Sequence, residues 1–192
     1  MGQYNSDVHN RCSIRLSSYN YSQSGLYFVT ICTHERLPLF GNIIDGAMQL
    51  NEFGHIAEKE WLMAPDRRSY IALHEFIVMP NHFHGIIEIL DMGIPPENGV
   101  ARYARTDKAN ACDVRIGNAM ADISPKCRTL STIIRAYKSA VSRAIRMLGG
   151  IPTTIWQRNY YEHIVRNEDD YVQISEYIKY NPLKWIDDRF YM

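Results

Sequence analysis

The run Ile77-Val78-Met79-Pro80-Asn81-His82-Phe83-His84-Gly85-Ile86-Ile87-Glu88-Ile89 constrains the fold more than any other stretch of the chain. Apolar residues, many of them β-branched, flank a Pro-Asn pair, so the run reads as strand, turn, strand. Side chains alternate between the faces of a strand, which puts His82 and His84 on one face and Phe83 on the other. Two imidazoles at that spacing can hold one metal ion, and by spacing alone they can equally be two histidines that cap a hairpin.

The rest of the chain supplies what such a hairpin packs against. Leu26 to Thr33 is an apolar strand, with His34 directly after it. Phe40 to Leu50 contains Asp45-Gly46 between short apolar stretches, a tight-hairpin signal. Asn51 caps a helix with Phe53, Ile56, Ala57 and Trp61 at helical spacing, and Pro65-Asp66 closes it. Ser69 to Met79 is the strand that enters the histidine turn, and Gly85 to Leu90 continues beyond it. Leu130, Ile133, Ile134, Tyr137, Val141, Ala144, Ile145 and Leu148 form one helical stripe, ended by Gly149-Gly150. Ile155 to Val165 reads as the last core strand. Asn167 caps a final helix with Tyr171, Ile174 and Ile178 inward, stopped by Asn181-Pro182. The order strand, helix, strand, strand, helix, strand suits an α+β sandwich of the ferredoxin-like type, an antiparallel sheet with helices packed on it and the histidine hairpin in its central strands.

A chain of 192 residues can bury a full core in one domain. The expected division is a flexible arm over 1–24 and one domain over 25–192, with a variable loop or insertion at about 91–127, where Gly, Pro and alternating charges replace periodicity. Lys plus Arg equals Asp plus Glu at 21 each, so overall charge decides nothing about nucleic acid. Distribution is more informative. Lys126, Arg128, Arg135, Lys138, Arg143, Arg146 and Arg158 lie in a stretch without Asp or Glu, a local cationic surface able to attract phosphates. Cys12, Cys32, Cys112 and Cys127 have no paired spacing and read as free thiols of a cytoplasmic protein. No signal peptide and no run long enough to span a bilayer are present, so no membrane partner is expected.

Histidine, hydrophobe, histidine after a Met-Pro-Asn turn resembles the HUH nucleases, most closely the single-tyrosine transposases of small insertion sequences and the REP-associated tyrosine transposases. Further matches lie at Tyr137 in its striped helix, at Ile155-Trp156-Gln157-Arg158-Asn159-Tyr160-Tyr161-Glu162-His163, and at Glu176-Tyr177-Ile178 followed by Asn181-Pro182-Leu183-Lys184-Trp185. The resemblance implies a transposase that acts on single-stranded DNA beside a hairpin, through a 5′-phosphotyrosine intermediate and strand transfer. It implies His82 and His84 as ligands of Mg²⁺ or Mn²⁺ and Tyr137 as nucleophile, with Tyr160 and Tyr161 as rivals. Arg135, Lys138, Arg143 and Arg158 are expected to contact phosphates, and Trp156 or Tyr160 to stack on bases. Relatives often add a Gln or Asn one turn after the tyrosine as a third ligand. Counting from Tyr137, that position is Val141, which cannot bind a metal, so Glu88, His163, Gln157 or water is left to complete the site. Relatives act as monomers or as homodimers.

The chemistry these residues would perform is specific. A phenol, with a pKa near 10, is a poor nucleophile at neutral pH. An ion on the two histidines would polarise the phosphate, and the covalent intermediate would keep the energy of the phosphodiester for rejoining. Two other functions fit the sequence: a binder of repeated DNA hairpins without catalysis, and a metal-dependent phosphohydrolase, which the lack of a Gly-rich phosphate loop disfavours.

Overall fold

The computed structural model describes residues 21–91, 128–149, 154–188 and 190–191. Most of the expected arm and nearly all of the expected insertion lie outside these residues. The last part of the arm is docked: Tyr21 packs on the core, and its carbonyl accepts a hydrogen bond from the Leu130 amide.

Four strands make the main sheet: β1 (Gly25–Cys32), β4 (Ile71–Val78), β5 (His82–Ile89) and β6 (Tyr161–Val165). Their order is β4-β5-β1-β6, and every neighbouring pair is antiparallel. Between β1 and β4 come a small hairpin of β2 (Gly41–Ile44) and β3 (Ala47–Leu50), then α1 (Glu52–Leu62) and the short α2 (Ala64–Arg67). The hairpin turns at Asp45 and Gly46, with φ of 52° and 74°. Positive φ at both residues fits strand twist, and an Asp-Gly pair tolerates it. Helix α3 (Leu130–Met147) links β5 to β6, and α4 (Glu168–Tyr180) follows β6. The last strand is shorter than the sequence implies. Its first part, around Trp156, makes only an isolated bridge to Thr33.

Alternation along β1 and β5 produces two cores. Tyr27, Val29, Ile31, Phe83 and Ile87 turn to one face, where Trp61 of α1 and Ile133, Ile134 and Tyr137 of α3 complete the larger cluster. Phe28 and Ile86 turn to the other face and meet Ile178 of α4. With α1 and α3 on one side and α4 on the other, the sheet is covered on both faces, as an α+β fold requires of apolar strands. Strand β4 slips register between Leu73 and Phe76. This bulge turns both His74 and Glu75 toward α4, where they bond Tyr171 and Lys179.

Candidate metal and nucleophile site

His82 and His84 lie on the α4 face of β5, both fully buried, with ring centroids 4.4 Å apart. Each ring is fixed through Nδ1. Asn81 donates its Nδ2 to the Phe190 carbonyl at 2.7 Å, which leaves its Oδ1 as the acceptor for His82 Nδ1, 2.8 Å away. His82 therefore carries its proton on Nδ1 and presents a lone pair at Nε2. Nδ1 of His84 lies 2.8 Å from the hydroxyl of Thr30, its cross-strand partner on β1. A histidine oriented at one nitrogen is ready to ligate through the other.

The chain closes over these rings from α4 onward. One face of α4 brings Tyr177, whose hydroxyl lies 3.3 Å from Nε2 of His84. Asn181, one turn later, donates Nδ2 to Asp188 at 3.0 Å, and its Oδ1 is buried with no hydrogen-bond partner among the described residues. One ligand atom each of His82, His84 and Asp188 fall within 4.8 Å of one another. Two imidazoles, one carboxylate and a nearby amide oxygen form a mixed nitrogen and oxygen donor set able to hold a divalent metal ion. Phe190 covers the rings at 4.6 Å from His82 and 6.1 Å from His84, and the Arg36 guanidinium lies over Phe190. Tyr177, by contrast, is 42% exposed.

The structure does not bring Tyr137 to this site. It lies on the other face of the sheet, packed edge-on to Trp61 and against Phe83 and Trp156, and its hydroxyl donates to the Ala57 carbonyl at 3.1 Å. Burial, and secondarily the charge of Glu60, push its pKa well above the usual value, the wrong direction for a nucleophile. Val141 is core, and a second tyrosine, Tyr177 at the histidines, has Asn181 one turn after it. That spacing stood in the sequence, inside a stretch already matched to the family.

The other expectations divide. Trp156 is buried, with its indole nitrogen donating to the Lys138 carbonyl, and has no face for a base to stack on. Lys138 holds the carbonyls of Gln157 and Asn159, both at 2.8 Å, and burial lowers its pKa to about 8. It is a staple between α3 and the Trp156 segment. The Tyr160 hydroxyl pairs with Ser131. Arg135, Arg143 and Arg158 are exposed. Of the alternative ligands, Glu88 pairs with His74 and His163 with Asp170, so neither completes the histidine pair.

Comparison with protein families gives no matching profile. An uncharacterised protein of Haemophilus influenzae is 38% identical over 192 residues, covering 99% of this chain and 98% of its own length. A second Haemophilus influenzae protein, with the provisional name REP-associated tyrosine transposase, is 25% identical over 171 residues, 88% of this chain and 77% of its own. The solved structure of the REP-associated tyrosine transposase bound to a REP hairpin superposes with a TM-score of 0.55 at 19% identity, over 90% of this chain and 74% of that one. The chain belongs to one family with the first of these Haemophilus proteins. Its α+β fold, an antiparallel sheet with helices packed on it, is shared with the solved transposase. Among the described residues no helix is long and apolar enough to cross a membrane.

Proposed function

We propose that this protein cleaves and rejoins single-stranded DNA beside a hairpin, with Tyr177 as the nucleophile. The observation that carries the reading is the Tyr177 hydroxyl at 3.3 Å from Nε2 of His84, at the rim of the His82, His84 and Asp188 cluster. The REP hairpin bound by the structurally similar transposase supports hairpin DNA as the substrate.

His82, His84 and Asp188, with Asn181 beside them, would hold Mg²⁺ or Mn²⁺, which when bound withdraws charge from the scissile phosphate. Asn81 and Thr30 keep the two imidazoles in the ligating orientation. The Tyr177 hydroxyl gives its proton to solvent and attacks phosphorus; the new bond is Oη–P, the bond broken is P–O3′, and the 3′ oxygen takes a proton from solvent and leaves as a hydroxyl. Attack by a 3′-hydroxyl reverses the step and joins strands with no external energy source. The Tyr177 hydroxyl lies beside the atom through which His84 would ligate, so the phenol stands next to the ion's position before substrate binds.

The test is covalent trapping on a denaturing gel, with Mn²⁺ and labelled single-stranded hairpin DNA. The expected result is a protein–DNA band that is lost in Tyr177→Phe and His82→Ala and kept in Tyr137→Phe. Loss in Tyr137→Phe with retention in Tyr177→Phe would overturn the assignment. A second reading, a hairpin binder without catalysis, draws on the complete burial of both histidines beneath Phe190. Tight hairpin binding without any trapped band selects it.

A further inference from the structure

Beside the Tyr177 hydroxyl is a cavity that the attack itself does not need. Gln173, Glu176, Tyr177 and Tyr180 stand at i, i+3, i+4 and i+7 along α4, and with Lys184 and the Asn181–Asp188 wall they enclose about 500 Å³. That lies within the range of small-ligand sites, about 300–1,000 Å³. Tyr180 is 53% exposed, a large aromatic face left in water. Glu176 is the unexpected member. A carboxylate accepts hydrogen bonds and repels phosphate, so toward a strand of DNA its favourable partners are the donors of a base.

We propose that this cavity is a subsite for one unpaired nucleobase adjacent to the scissile phosphate, and that it prefers guanine. The inference rests on the reading of the site as one that cleaves DNA. Tyr180 supplies the stacking platform, Lys184 faces the backbone phosphate, and Glu176 reads the Watson–Crick edge. Guanine alone presents two adjacent donors there, N1–H and the N2 amino group, which match the two oxygens of one carboxylate. Adenine and cytosine set an acceptor beside their single amino group, and thymine flanks one imino group with two carbonyls; each places a lone pair against Glu176. Gln173, with both a donor and an acceptor, can meet any of the four and adds no selection of its own.

The experiment is fluorescence anisotropy of the full chain with hairpin oligonucleotides in which each unpaired flanking position carries G, A, C, T or deoxyinosine in turn. Glu176→Gln and Tyr180→Ala are measured beside the parent protein. At one position guanine is expected to bind about 5- to 150-fold more tightly than the other bases, the range of a bidentate base contact. Deoxyinosine, which lacks the N2 amino group, should forfeit most of that preference. Glu176→Gln should erase it while hairpin binding persists, and Tyr180→Ala should weaken all bases alike. Tight hairpin binding with no guanine preference, or with one that Glu176→Gln leaves intact, overturns the subsite and leaves the proposed function standing. Absence of any hairpin binding by the parent protein overturns both.

Discussion

At the residue scale, the site depends as much on Asn81 as on the histidines. Asn81 fixes the His82 tautomer with one side-chain atom and anchors Phe190 with the other. Asn81→Ala is expected to weaken Mn²⁺ binding by about 10- to 100-fold, the usual cost of losing a partner that orients a ligand. Calorimetric titration of Mn²⁺ measures it, and unchanged affinity would remove Asn81 from the site. Tyr137 teaches the complementary lesson. Helical periodicity correctly put it on an inward stripe, but a period of 3.6 does not say which face of the sheet a helix covers. The phenol that reaches the histidines lies on the last helix, in a stretch matched to the family but with Tyr177 given no role.

The elements explain why that helix takes the other layer. α1 and α3 are the crossovers of the strand order, and both pack on the Phe83 face. The His face of β1 and β5 still carries Phe28 and Ile86 and needs a cover, and α4 is what remains to supply it. Most of the fold was therefore legible: strand alternation, the Asn51 and Asn167 caps and the Asp-Gly turn all occur as read. The bulge in β4 was not, because one extra residue leaves no mark on an apolar run, and neither was the placing of Phe190 over the histidines, which rests on contacts with Asn81 and His82 far away in sequence. The α4 entry also makes a pH prediction. The His163 hydrogen bond, with help from the Arg166 amide, holds the Asp170 carboxyl below its ordinary 3.8. A carboxyl depressed in the folded state stabilises the fold above the ordinary value and stops doing so as pH falls through the lower one. Asp170→Asn should then lower stability at neutral pH by less than about 1 kcal/mol, the range of exposed pairs. Melting curves of the two proteins should converge as the pH is lowered below 3.8. A gap that persists in acid would assign the effect to packing.

Across the whole molecule, the two faces of the sheet carry different chemistry. The histidines and Tyr177 occupy one, and α3, with exposed Arg135 and Arg143, covers the other. If these arginines and Arg158 grip phosphates, substituting any one with Ala should flatten the dependence of log Kd on log salt by about one unit, equally for every hairpin sequence. A slope unchanged in all three variants assigns them to solvent. The register of β5 has a further consequence. His82 and His84 pair across to Cys32 and Thr30 on one side, and the same strand pairs with β4 on the other. A slip of one residue would exchange the histidines for Phe83 and bury two imidazoles in the larger core. The site is thus written into an interior strand paired on both sides, so the backbone amides of His82 and His84 should exchange with deuterium only when the entire molecule unfolds. The metal-binding geometry and the fold would be lost together.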